Sequence, residues 1–122
     1  MKDSTRLSNP LLLERDGLVA AYRLYGALFF GAVKLLQDIE DHLPARALVL
    51  DLKNVIYMDS SGVDGFMDLA DTCRKAKVRL LVCGLMHQPL DISARSGLKK
   101  GLKGDADFPT LASALAAAVL TA

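Results

Sequence analysis

The 122-residue sequence contains no tryptophan, two cysteines and four prolines, and only 6% of its residues are aromatic. Cys73 and Cys83 are too few for a disulfide framework, and they form no Cys-x-x-Cys redox or zinc motif. A pair of reduced, buried thiols in a cytoplasmic compartment is the expectation. An excess of charge is also missing: Lys and Arg total 15, Asp and Glu total 14, and the net charge is +1. Nucleic-acid binders draw affinity from a large phosphate-neutralising excess, so no nucleic-acid partner is expected. Long apolar runs are lacking as well. Ala114–Leu120 is typical of the longest, whereas a spanning helix needs about 20 predominantly apolar residues. The opening MKDSTRLSN is polar and has no apolar core of a secretory signal.

What is present is an apolar fraction of 52% beside 24% charged residues, a balance that excludes disorder. A chain of this length buries roughly two-thirds of its unfolded surface and folds without metal or disulfide staples. The expected organisation is a polar tail or linker over residues 1–9 and one domain over 10–122, soluble when isolated.

Hydrophobic periodicity supplies the elements. Leu11-Leu12-Leu13 and Leu18–Leu24 flank Asp16-Gly17, the strongest short-range hairpin signal, so two antiparallel strands are expected, the second closed by Gly26. Phe29, Val33, Leu36, Ile39 and Leu43 recur at helical spacing until Pro44. Ala47–Leu52 is a nearly continuous apolar run, the mark of a strand covered on both faces. Val63, Phe66, Met67, Ala70 and Cys73 form the stripe of a second helix, with Arg74, Lys75 and Lys77 at its negative dipole end. Val78–Gly84 reads as another buried strand and Pro89–Ser96 as a short helix ended by Gly97. Lys99–Asp107 is expected to hold a short edge strand. Leu111, Ala112, Leu115, Val119 and Leu120 mark a C-terminal helix. The alternation specifies an α/β sheet with an antiparallel hairpin first and right-handed crossovers after it.

Catalytic constellations are scarce. His42 ends an amphipathic helix, His87 lies in a loop, and neither belongs to a metal-ligand spacing; no cofactor or metal site is expected. No P-loop, GxGxxG or GxSxG is present. Ser96 and Lys99 fit SxxK without its companion motifs. The informative segment is Val55–Gly62, ending in Asp59-Ser60-Ser61-Gly62 at the carboxyl end of a strand, where α/β folds place function. Asp and Ser are strong N-caps, and the free N–H groups of the first helical turn form a ready anion site. Simple capping accounts for the same residues; a hydroxyl presented there can also carry a phosphate, which adds nearly two negative charges.

The run ALVLDLKNVIYMDSSGVDGFMDLADTCRKAKVRLLVCG resembles the signature region of a STAS domain. That module is shared by bacterial anti-sigma-factor antagonists and the cytoplasmic C-terminal tails of SulP anion transporters. The resemblance implies the STAS fold: a small, parallel-rich sheet with helices packed largely on one side. In the antagonists the second serine of the motif is phosphorylated by the anti-sigma factor's kinase activity, which breaks their complex. By position that residue is Ser61, beside Asp59 and Ser60. A phosphate there would face Asp59 and Asp64, and repulsion would disrupt an interface. Antagonists usually carry a Gly-Glu-Leu-Asp-like segment after the second strand. This chain has Arg23–Gly31, ending Phe29-Phe30-Gly31, a pattern similar to SulP transporters, although Phe29 and Phe30 also suit a plain helix start.

The favoured expectation is therefore a non-catalytic regulatory domain at the cytoplasmic face of the inner membrane. Its partners would be the transmembrane domain of the same transporter and a second protomer. An antagonist that binds a kinase and is switched at Ser61 is the alternative, and a small enzyme is a minor one. Two basic clusters, Arg74–Arg79 and Arg95–Lys103, suit either solvated helix ends or an anionic leaflet.

Overall fold

The computed structural model describes residues 11–28 and 32–121. Strand β1 (Leu11–Arg15) turns at Asp16-Gly17 into β2 (Val19–Leu28), antiparallel to it. The Asp16 carboxylate accepts the backbone N–H groups of Leu18 (3.0 Å) and Val19 (2.9 Å), and these bonds hold its pKa below the usual carboxylate value. Gly17 supplies the positive φ of +89° that the turn requires. Helix α1 (Ala32–Glu40) leads to β3 (Ala47–Met58), then α2 (Ser60–Lys75) and β4 (Arg79–Cys83). Helices α3 (His87–Ser96) and α4 (Leu98–Gly101), a 3-10 turn over Lys103–Ala106 and helix α5 (Leu111–Thr121) complete the described chain.

The sheet order is β1-β2-β3-β4, with β2, β3 and β4 mutually parallel. Even-numbered residues of β3 such as Leu48 and Leu50 face α1 to α4 in a core with Leu24, Leu36, Phe66, Leu69 and Leu80. The opposite face, Val19, Ala21, Ala47, Val49, Leu81 and Cys83, is covered by Ala114 and Ala118 of α5. Both faces being covered, β3 reads as a continuous apolar run. On the α5 side, Asp51 is only 2% exposed; Arg23 Nε donates to it at 2.9 Å and the Lys53 N–H at 3.0 Å. A carboxylate so placed needs such partners.

Several elements differ from the sequence expectation. Strand β2 does not close at Gly26 but continues to Leu28. Strand β3 runs past Leu52 to Met58, so most of the expected loop is strand. It does so through two bulges: Arg23 and Tyr25 pair with Asp51 and Asn54, and Gly26 and Ala27 with Val55 and Tyr57. Each inserts an extra residue on β3 and resets the alternation. Leu52, Val55 and Met58, three apart, all reach the helical core, while Ile56 is 73% exposed. This hid the strand from a period-two reading.

The first helix is described only from Ala32 and ends at Glu40 rather than Leu43. The expected edge strand over Lys99–Asp107 is instead α4 and the 3-10 turn. Strand pairing in that region is confined to a bridge between Cys83 and Phe108 among the described residues. Leu98 and Ala106 anchor it in the core, and burial of these side chains outweighs the breaking tendency of its glycines. The C-terminal helix is present, yet Val119 and Leu120 are exposed and the buried contacts are Ala114 and Ala118. The Phe29-Phe30-Gly31 segment and the tail over 1–9 lie outside the described residues.

Candidate functional site

The segment Asp59–Gly62 lies where β3 meets α2, at the carboxyl end of the parallel strands. Asp59 has extended backbone angles (φ −98°, ψ −176°) and is the N-cap of α2. Its Oδ1 accepts the Gly62 N–H at 2.9 Å, and its carbonyl accepts the Val63 N–H at 3.0 Å. Its own N–H donates to the Leu28 carbonyl at 3.2 Å, which ties the loop to the end of β2. The capping chemistry expected of Asp59 is therefore present, and it engages the carboxylate.

Gly62 is required by proximity. A Cβ there would stand 2.5 Å from the Leu28 carbonyl oxygen, a backbone atom. A Cβ on Gly65 would likewise stand 2.8 Å from Leu36 Cδ1, so α1 and α2 cross closely. Ser60 is exposed and Ser61 half-buried, and Asp64 is exposed one turn on. Ser60 and Asp64, with Val63 and Met67, form one wall of a groove of about 410 Å³ whose other wall is Ile92, Arg95 and Ser96 of α3. Arg95 pairs with Asp91 on its own helix at 3.0 Å, in a solvent-exposed contact. The four residues singled out from sequence are thus brought together, and Ser60 rather than Ser61 borders the groove.

Gln88 was not singled out from sequence. Its Nε2 donates to the Met58 carbonyl and its Oε1 accepts the Met58 N–H, both at 2.8 Å. The partners are thirty positions apart, and the local signal, Gln before Pro89 at a helix start, does not point to a strand end.

A second groove of about 430 Å³ separates α2 from α4 and the 3-10 turn, floored by Met67, Cys73 and Leu98 among others. Its charges are largely matched. Arg79 clamps Asp105 with two bonds, at 2.9 and 2.7 Å, while Lys75 (3.0 Å) and Arg74 both pair with Asp71. The Lys75 contact, with help from Arg74, lowers the Asp71 pKa. Lys99 pairs with Asp107 at 3.2 Å. The basic clusters are therefore partly offset by neighbouring carboxylates, while Lys77, Lys100 and Lys103 are exposed. His42 Nδ1 lies 2.9 Å from the Asp38 carbonyl, at the end of its helix. Burial pushes both thiols up to about 12, with Glu40 contributing at Cys73 and Asp51 at Cys83. Among the described residues no helix is long and apolar enough to cross a membrane.

This arrangement matches known proteins. The family model of the STAS domain covers residues 10–114. "Putative sulfate transporter YvdB" of Bacillus subtilis (strain 168) is 29% identical over 106 residues, 80% of this chain and 20% of that protein. The chain thus spans about a fifth of the curated relative it matches. Among solved structures, a sulfate transporter family protein from Wolinella succinogenes superposes with a TM-score of 0.77 at 24% identity, over 98% of this chain and 94% of that one. The SulP transporter STAS domain from Vibrio cholerae gives 0.71 at 23%, over 88% and 85%. The anti-sigma factor antagonist SpoIIAA in its unphosphorylated form gives 0.76 at 17%, over 93% and 98%. Such likenesses establish the fold and do not separate transporter tails from antagonists. With the signature helix cap, the two-faced mixed sheet and a family match over nearly the whole described chain in agreement, the chain belongs to the STAS domain family.

Proposed function

We propose that this STAS domain is a non-catalytic regulatory and docking module of a SulP-type anion transporter. It would lie at the cytoplasmic face of the inner membrane, joined to the transporter's own membrane domain and meeting a second protomer. The observation that carries this reading is the 106-residue match to a protein named as a sulfate transporter, of which it forms a fifth. The geometry of the loop supports a docking role. The Asp59 carboxylate is engaged with the Gly62 amide, while Ser60 is presented to solvent at the start of α2. Ser61 is the proposed phosphate acceptor, by its position in the motif. Near-double negative charge beside Asp59 and Asp64 would repel an acidic partner surface and favour a basic one.

The test is the reading frame to which these residues belong, followed by uptake. Apolar segments of spanning length upstream are expected, as is sulfate uptake by vesicles holding the full-length protein. Ser61→Asp is expected to change that uptake. A frame without membrane segments overturns the reading.

The second reading, an antagonist switched at Ser61, is favoured by the intact Asp-Ser-Ser-Gly loop and the SpoIIAA-like fold. It predicts phosphate transfer to Ser61 from an anti-sigma-type kinase and loss of transfer in Ser61→Ala.

A further inference from the structure

Strand β3 outruns its neighbour. Strand β4 pairs with it only from Ala47 to Asp51, yet β3 continues to Met58, where its partner on the other side is Leu28 of β2. The backbone of Met58 is nevertheless satisfied on the β4 side, because the Gln88 carboxamide accepts its N–H and donates to its carbonyl, each at 2.8 Å. A carboxamide has one donor edge and one acceptor edge, like a peptide group, so Gln88 acts as a one-residue substitute for the missing strand. It sits at the first turn of α3, a helix whose N-cap, Met86, makes no side-chain cap bond and whose first residue, His87, has φ +55°. The start of α3 is thus joined to the strand end instead of being capped.

We propose that Gln88 is the positioning residue of the Asp59–Gly62 loop, holding the peptide from which that loop departs. This assignment rests on the reading of the loop as the domain's switch. Three connections tie down the loop's departure: Asp59 N–H to Leu28, Gly62 N–H to Asp59, and the two-bond Gln88 pair on Met58. The first comes from β2 and the second is internal to the loop. Gln88 alone of the three joins the loop to α3, across from the groove that separates α3 from α2. A ligand or partner that shifts α3 therefore shifts the peptide next to Asp59, and a change at the loop is felt by α3.

The test is backbone amide exchange of the 122-residue chain by NMR, in wild type, Gln88→Ala and Gln88→Glu. In Gln88→Ala, protection of Met58, Asp59 and Gly62 is expected to fall by on the order of 10-fold, the scale of one or two net hydrogen bonds, with Leu48, Leu50 and Leu81 unchanged. Gln88→Glu supplies a readout that loss of packing does not move. Its carboxylate still accepts the Met58 N–H but faces the Met58 carbonyl without a proton. Protonation, near the ordinary glutamate value of about 4.3 or above it, restores the donor. Protection at Met58 relative to wild type at the same pH should therefore recover as pH falls from 7 to about 3.5.

Unchanged exchange at all three loop amides in both variants overturns the proposal. So does a loss spread evenly over the core strands, or a Gln88→Glu variant with no recovery in acid. In vesicles holding the full-length protein, Gln88→Ala is expected to alter sulfate uptake as Ser61→Asp does. Uptake unaffected by either substitution would refute the switch role of the loop, while the exchange data would still decide whether Gln88 holds the strand end.

Discussion

Asp59 does two things at one position: it ends β3 and begins α2. Because its carboxylate satisfies the Gly62 N–H, Asp59→Ala is expected to lower unfolding stability by about 0.5–2 kcal/mol, with Asp59→Asn close to wild type. Urea denaturation of the three proteins measures this; equal midpoints would show that the cap contributes nothing. The cap was readable from sequence because it is local, three residues from acceptor to donor. The neighbouring clamp by Gln88 was not, since nothing in a His-Gln-Pro stretch says which distant strand it will meet.

The cysteines make a second prediction at this scale. Their pKa values, raised from 9.0 to about 12 chiefly by burial, leave almost no thiolate in the folded protein at pH 8. Both should resist iodoacetamide until the chain unfolds; rapid alkylation of the native protein would contradict the burial. The linkage has a definite sign. The unfolded thiols ionise above about pH 9, whereas the folded ones stay protonated to about 12. Their contribution is therefore complete below pH 9 and is lost as pH rises towards 12.

Among the elements, those with a clean period were recovered from sequence and those with a broken one were not. Helix α2 keeps Val63, Phe66 and Cys73 on one buried stripe, as its spacing indicated. The far half of β3 has neither period, because two bulges space its core residues by three. In the stretch after Gly97, a composition rich in glycine and lysine suggests an edge strand. Tertiary contacts at Leu98 and Ala106 instead draw it into short helical turns.

Helix α5 misled in a different way. Its large apolar side chains suggested the buried face, but Ala114 and Ala118, both 0% exposed, sit deepest against the sheet, Leu111 and Leu115 pack at their margin, and Val119 and Leu120 are exposed. Ala114→Leu is accordingly expected to destabilise the domain by about 1–3 kcal/mol through overpacking. Val119→Ala, at a position 66% exposed, should stay within about 0.5 kcal/mol. Thermal unfolding of the two variants checks the pair, and the reverse ranking would place the wrong face of α5 against the sheet.

For the whole molecule, the sheet has two covered faces and a carboxyl end that carries the signature loop. Hairpin, crossovers and carboxyl-end loop follow the ordinary logic of parallel sheets. They place Asp59, Ser60, Ser61 and Gly62 beside α3. The near-neutral surface takes on a definite meaning here. Arg79 with Asp105, Arg95 with Asp91, and Lys75 and Arg74 with Asp71 are paired within the domain, so part of the charge in its basic runs is offset locally at the surface.

Composition, periodicity and the Asp-Ser-Ser-Gly motif by themselves determined the class of fold, the hairpin, the main helices and the place of the signature loop. Each rests on interactions among residues close in sequence or on a regular alternation of apolar positions. Tertiary structure alone decided that β3 extends through two bulges and that alanines form the buried face of α5. It alone decided that Arg23 and Asp51 meet, and that Gln88 closes the strand beneath the loop. Those outcomes depend on which distant backbone is left with an unpaired N–H or carbonyl, and how closely two elements approach. Neither quantity is defined until the chain has folded.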